Sequence, residues 1–380
     1  MPVNECLHNV ASFKRDCYNA VRITNPCGIF VLPHGDTAPT TQNINSMLFG
    51  GINMKTKRSI TSALLAAVLI VSLCLSLAAC SGGNDSAKDK VFTVGICQLV
   101  QHDALDAATQ GFKDALVDKL GADKVQFDEQ NAQNDAAMCS TIVNSFVSKN
   151  VDLILANATP ALQAAYNATE TIPILGTSVT EYGVALKLDD FSGTVGGNVS
   201  GTSDLAPLED QAEMILELFP DAKKVGLLYC SAEPNSDYQV KVVEKYLSDK
   251  GITCTRFSFS DSNDIAAVTT KAAADSDVIY IPTDNTAASC VETIGNIVIS
   301  AKTPVVAGEA GICSGCGVAT LSISYYDLGY KTGEMAAAIL LGEADISDMP
   351  IAYAEASKKY NPEICEELGI TVPDGYEPLD

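Results

Sequence analysis

Few residues in this 380-residue chain could support acid–base, nucleophilic or metal chemistry. From Cys80 to the end, His102 is the only histidine and Arg256 the only arginine. A metal site built on several imidazoles is therefore excluded. A Ser-His-Asp or Cys-His relay would have to run through His102, and no G-x-S-x-G elbow accompanies it. A guanidinium fork for a carboxylate or phosphate could come only from Arg256, which sits in a strand-like run and should end at a surface. Cys313-Ser-Gly-Cys316 has the spacing of a redox or metal pair. It has no second pair and no neighbouring histidine, so a disulfide or a plain loop is the better reading. No catalytic residue, metal or cofactor is expected.

What remains suits binding. Carboxylates can hold an ammonium, while hydroxyls and helix N-terminal N–H groups can hold a carboxylate. Asp284 and Asn285 follow the apolar run Val278–Ile281, and Glu309 follows Pro304–Ala307. Two acids at neighbouring strand ends suit a cation. Equally, Asp284 or Asn285 can cap the next helix, and capping does not exclude contact. Glu233, Asn235 and Ser236 follow the run ending at Cys230, with Ser236 also readable as a cap. Thr159, Ser178 and Thr180 offer hydroxyls, Thr159 at a helix start. Gln101 and His102 follow the first strand; His102 reads as a polar loop residue, a cap or a ligand contact. Together these groups suit a zwitterion, its ammonium on acids of the second half and its carboxylate on donors of the first.

These residues need a scaffold, and the hydropathy pattern supplies one. Val91–Cys97 is a buried-strand run, and Asp103–Leu120 follows with a helical stripe at Leu105, Ala108, Phe112, Ala115, Leu116 and Leu120. Strand-like runs recur at 125–127, 151–156 and 172–175, alternating with helices capped near Asn134 or Asp135 and at Thr159-Pro160. The same alternation restarts at Pro207 and continues to a helix over 327–341, with one helix expected over 286–300. Repeated β-α units imply parallel sheets covered on both faces. The fold class is α/β, as two Rossmann-like doubly wound lobes with a cleft between them. Each candidate residue lies just after a strand, where open α/β sheets bind ligands.

The ends and the charge divide the chain. Lys55, Lys57 and Arg58 precede an apolar run from Ile60 to Ala79, closed by Leu77-Ala-Ala-Cys80. This has the parts of a secretory signal, and the cysteine resembles a bacterial lipobox. Residues 54–79 are expected to be a lipoprotein signal peptide, Cys80 the lipidation site and 80–90 a tether. Residues 1–53 show no sustained period, and translation starting at Met54 is expected instead. The whole chain carries 24 basic and 47 acidic residues, a net charge of −23; from Cys80 on, 18 face 44, a net of −26. That balance excludes nucleic acid and a basic membrane-docking face. Hydrophobic content of 47% suffices for packed cores. Eight cysteines follow Cys80, mostly on apolar positions where the thiol acts as a small hydrophobe.

Several segments, in order, resemble the ABC transporter substrate-binding family typified by tryptophan/tyrosine-type uptake lipoproteins. They include His102–Asp106 with Gly111-Phe112, Asn131-Ala-Gln133, Ala158-Thr-Pro160, Ser178-Val-Thr180 and Asn198–Gly201. Glu233–Ser236, Pro282–Asn285, Pro304–Glu309 and Tyr325–Gly329 complete the set. The resemblance covers nearly all of 91–372, in the type I periplasmic binding class. One departure is Glu181-Tyr182, where the family often has Asp-Pro. The resemblance implies three crossings between lobes: lobe 1 over 91–202 plus 325–343, lobe 2 over 203–324 plus 344–380. It implies an extracytoplasmic, lipid-anchored monomer that captures a small ligand, of aromatic amino-acid type, for an ABC permease and its ATPase. A ligand-sensing ectodomain of a signalling system is the alternative.

Overall fold

The computed structural model describes residues 90–379. The proposed upstream extension, the signal segment and Cys80 lie outside the described residues.

The first lobe is built on β1 (Phe92–Gln98), α1 (Asp103–Leu120), β2 (Val125–Asn131), α2 (Ala136–Lys149) and β3 (Leu153–Asn157). It continues with α3 (Thr159–Ala168), β4 (Ile174–Val179), α4 (Tyr182–Leu186) and β5 (Val199–Ser203). The second lobe contains α5 (Leu208–Leu218), β6 (Lys224–Cys230), α6 (Pro234–Asp249), β7 (Thr253–Phe259), α7 (Ile265–Asp275) and β8 (Val278–Ile281). It goes on through α8 (Asn285–Ser289), α9 (Val291–Ala301), β9 (Val305–Ala307), α10 (Ala310–Cys316) and β10 (Ala319–Ser322). The chain then forms α11 (Tyr325–Leu340), β11 (Ala352–Tyr353), β12 (Ser357–Tyr360), α12 (Pro362–Leu368) and β13 (Glu377–Pro378).

The strands fall into two sheets, ordered β11-β5-β4-β3-β1-β2 and β13-β12-β10-β9-β8-β6-β7. All pairs are parallel except β10–β12. Order reverses beside β1 in one sheet and beside β6 in the other, the switch points where doubly wound sheets open a crevice. Apolar clusters cover both faces of each sheet. Phe146 and Leu162 lie on one side of the first sheet, Phe112 and Leu116 on the other. Buried strands such as Leu153–Asn157 carry apolar residues facing both layers.

The chain crosses between lobes after Ser203, after Ser322 and between Tyr353 and Ser357. The third crossing corrects the boundary expected at 343/344. Ala352 and Tyr353 pair with Thr202 and Ser203, and Ser200 Oγ donates to the Met349 carbonyl at 3.0 Å. Residues up to Tyr353 therefore belong to the first sheet, whose edge backbone they satisfy.

Helix α11 returns to the first lobe and packs on α1 through glycines. A Cβ on Gly329 would lie 1.9 Å from the Ala108 carbonyl oxygen, and one on Gly111 would lie 2.1 Å from that of Tyr326. No described helix is long and apolar enough to cross a membrane.

Local chemistry explains most boundaries. Asp135 caps α2 by accepting from the Ala137 and Met138 N–H groups. The expected Thr159 cap is displaced: Ala158, at φ 90°, holds the cap position and Thr159 is already helical. The single helix over 286–300 is two, because Cys290 leaves helical geometry and its N–H closes on the Ala287 carbonyl. Cys313 and Cys316 form no loop. They lie on α10 as buried free thiols, and Cys316 Sγ donates to the Ile312 carbonyl at 3.3 Å.

Candidate functional site

The loops beyond the two switch points face each other. Loop 99–102 after β1 meets the start of α8, which follows β8. His102 Nε2 lies 3.3 Å from Asn285 Oδ1, and Asn134 Nδ2 donates to Thr286 Oγ1 at 3.0 Å, each pair bridging the lobes. Beneath these contacts is a narrow cavity of about 10 Å³, room for about one water.

Lobe 1 contributes His102, Leu105, Ser178 and Thr180 to its walls, and lobe 2 contributes Asn235, Thr283, Asp284, Asn285, Ala288 and Glu309. Asp204 and Tyr325, at the first and second crossings, complete it. No lysine or arginine is among these walls.

Seven of the sequence-nominated residues thus converge: His102, Ser178, Thr180, Asn235, Asp284, Asn285 and Glu309. Four do not reach the cavity. Gln101 is exposed and lines outer grooves. Thr159 is buried at the start of α3, away from the walls. Ser236 is buried inside α6, where its Oγ faces the Thr283 carbonyl at 3.4 Å, and does not cap the helix.

Glu233 is the fourth, and its role is architectural. Its Oε2 accepts from the Asn285 N–H at 3.0 Å and from Asn285 Nδ2 at 2.7 Å. Its Oε1 accepts from the Thr286 N–H at 2.8 Å and from Thr286 Oγ1 at 2.7 Å. With Asn235 Nδ2 also donating to Oε2 at 3.3 Å, five donors saturate the carboxylate, leaving it nothing to offer a ligand.

Asp284 both caps and lines, so the two readings coexist. Its Oδ1 accepts from the Ala287 N–H at 2.8 Å and its Oδ2 from the Cys230 N–H at 2.7 Å. Burial, then the adjacent Glu233 charge, pushes its carboxyl up to about 8 despite these donors. Glu309 caps α10 through the Gly311 and Ile312 N–H groups. Burial raises it to about 7, helped by Asp103 and Asp204. The half-buried His102 is shifted down by desolvation, which outweighs its hydrogen bond to Asn285.

Sequence reasoning missed Asp204 and Tyr325. Asp204 is 4% exposed, and its Oδ2 accepts from the Tyr325 hydroxyl at 3.0 Å. Burial pushes it up to about 6, against the Tyr325 and Thr180 hydroxyls, which hold it down. The signal was present in Ser203-Asp204-Leu205: a lone acid leaving a small-residue strand. Asp204 was hidden because β5, spanning Val199–Ser203, was not recognised as a strand.

Three buried polar atoms of the walls lack any hydrogen-bond partner: Ser178 Oγ, Asp204 Oδ1 and Asn235 Oδ1. The Asn235 orientation is set by its amide nitrogen, which faces the Thr283 carbonyl and Glu233. Ser178 also adopts φ 54°, a left-handed conformation rare for serine. Orphaned groups and backbone strain gathered at one cavity mark a functional site. Two of the orphans are acceptors and the third is a hydroxyl. Among the described residues, no group of His, Cys, Asp and Glu side chains could hold a metal ion.

Arg256 lies outside the site, on β7, where its guanidinium pairs with Glu244 and Asp237. Glu181, at the departure from the family pattern, caps α4 through the Val184 N–H, and the Tyr182 hydroxyl donates to the Thr202 carbonyl at 3.0 Å.

Known proteins are similar to this chain in sequence and fold. A tyrosine-binding protein of Clostridioides difficile is 37% identical over 314 residues, 79% of this chain and 89% of that one. The structure of an ABC domain in complex with L-Trp from Streptococcus pneumoniae is 33% identical, with a TM-score of 0.71, covering 75% of this chain and 97% of that one. The ligand-free, open structure of a substrate-binding protein with adhesive properties from Clostridium difficile is 37% identical. It covers 76% of this chain and 99% of that one, with a TM-score of 0.59. The ABC transporter substrate-binding protein model matches residues 93–376, and the chain belongs to that family.

Proposed function

We propose that this protein captures an amino acid of aromatic type between its lobes and delivers it to an ABC importer. The observation that carries the reading is the set of three orphaned polar atoms in one interlobe cavity. Asp204 Oδ1 and Asn235 Oδ1 accept the ligand ammonium, and Ser178 Oγ donates to its carboxylate. A buried carboxylate oxygen without a partner is costly, and an ammonium removes that cost. This moves the ammonium anchor from the expected Asp284 and Glu309, whose oxygens already hold backbone N–H groups, to Asp204 at the crossing.

The cavity is too small for an amino acid while the lobes touch, so uptake requires them to part and close again. The chain matches the L-Trp complex better than the ligand-free, open relative, although it is more identical to the latter. That ranking fits a lobe arrangement of the capturing kind. The relatives bind tyrosine and tryptophan by name, which sets the aromatic class. In this reading residues 54–79 direct export, Cys80 carries the lipid anchor, and the lobes work outside the cytoplasm as a non-catalytic monomer. A thermal-shift and calorimetric screen against the twenty amino acids, sugars and nucleosides tests it. L-tyrosine or L-tryptophan should raise the melting point by mass action; binding confined to sugars or nucleosides would replace the reading.

A further inference from the structure

Closing the lobes gathers like charge. Lobe 1 brings His102 and Asp103 from the start of α1, together with Asp106 one turn on. Lobe 2 brings Glu309 and Asp284, with Glu233 behind them. Asp204 and the Tyr325 hydroxyl stand between, and no lysine or arginine lines the cavity. One ligand ammonium offsets one of these charges, and it is taken by Asp204. Glu309 is left near two acids, Asp103 across the cleft and Asp204 at the first crossing.

We propose that closure of the lobes takes up a proton on Glu309, so that ligand capture is proton-linked. The inference rests on the amino-acid reading only for its first probe. Glu309 fits the role by geometry. It is 2% exposed, and the Gly311 and Ile312 N–H groups it caps come from its own helix, whereas Asp103, which shares a groove with Gly311, comes from lobe 1, and Asp204 stands at the first crossing. Parting the lobes withdraws Asp103 from its surroundings and readmits water, while Asp204 and Tyr325 stay at the crossings. Asp284 is a weaker candidate, because its opposing charge is Glu233 of its own lobe. The buried Cys313 and Cys316 thiols near Glu309 are pushed upward and stay neutral.

The sign follows from linkage. A carboxyl whose affinity for protons rises on closure favours closure at low pH, and that advantage is lost as pH climbs through its closed-form value of about 7. His102 acts in the opposite sense, because its closed form resists protonation. The two partly cancel in the native protein, so the Glu309 contribution is a difference between variants.

The test is calorimetric titration of the full chain with L-tyrosine and L-tryptophan at pH 6.5, in two buffers of different ionisation enthalpy. The native protein should take up at least about half a proton more per ligand than Glu309→Gln, which keeps a cap acceptor for α10. Equal uptake overturns the proposal. If neither amino acid gives heat, the amino-acid reading fails, and linkage is then measured without ligand in a His102→Gln background. Spin-label distances across the cleft should shift toward the closed form between pH 8 and pH 6, and stay fixed when Glu309→Gln is added. Identical distance distributions in the two proteins overturn the proposal.

Discussion

The Tyr325 hydroxyl donates to Asp204 Oδ2 at 3.0 Å, tying the first crossing between the lobes to the second. The bond leaves Asp204 Oδ1 buried and unpaired, aimed at the cavity. A connection that must flex during closure therefore also carries the ligand anchor.

Asp204→Asn separates anchoring from stability. The amide keeps the shape and the Tyr325 bond but cannot attract an ammonium as a carboxylate does. Amino-acid affinity should fall by about 10- to 100-fold, the loss of a hydrogen bond to a charged group. Stability should move the other way. Burial raises the Asp204 carboxyl to about 6, so the ionised form weakens the fold as pH rises through that value. At pH 8 the ligand-free variant should be more stable by about 1–3 kcal/mol. Denaturant melts at pH 5 and pH 8 check the sign. A variant that binds as tightly as the native protein removes Asp204 from the anchor.

The His102–Asn285 contact across the cleft supports a second test. Asn285 Nδ2 is committed to Glu233 at 2.7 Å, so its Oδ1 faces His102 and the imidazole must donate from Nε2. Replacing His102 by alanine removes one latch that forms only when the lobes meet. Ligand dissociation should speed up by about fivefold, the worth of an ordinary hydrogen bond, with association unchanged. Stopped-flow fluorescence resolves the two rates.

How far this site could be read from the chain depends on backbone context. Asp284 and Glu309 follow short, wholly apolar strands, so their place at a strand end was plain from Val278–Ile281 and Val305–Ala307. Asp204 follows Val199–Ser203, whose small and polar residues carry no apolar signature, and neither the strand nor its acid stood out. Glu233 read as a ligand acid because charge is visible in a sequence and hydrogen-bond saturation is not. Four of its five donors come from α8, about fifty residues downstream. The lobe boundary slipped for a similar reason: Ala352–Tyr353 is too short for any periodicity, and only pairing with β5 assigns it.

If Glu233 is architectural, its removal should damage the fold as well as binding. Glu233→Ala leaves the Asn285 and Thr286 N–H groups and both side chains without their acceptor in a buried place. That should cost about 2–4 kcal/mol, because several buried donors lose their partner together. Glu233→Gln retains two acceptor lone pairs and should cost less. Chemical denaturation ranks the two variants. A stable, non-binding Glu233→Ala would instead restore Glu233 as a ligand group.

Gly329 makes the most local prediction. A methyl group there would sit 1.9 Å from the Ala108 carbonyl oxygen, on backbone that cannot rotate away. Helix α11 is the segment that returns from lobe 2, and its seat on α1 fixes where Tyr325 enters the cavity. Alanine is otherwise a better helix former than glycine by up to about 1 kcal/mol, so propensity alone predicts stabilisation. Steric conflict should dominate, and Gly329→Ala should lose about 1–3 kcal/mol, the usual cost of overpacking. Binding should weaken with it, because pushing α11 outward draws the Tyr325 hydroxyl from Asp204. A melting curve and a ligand titration on the same variant check both halves, and a gain in stability would show that α1 and α11 are less closely seated than their glycines require.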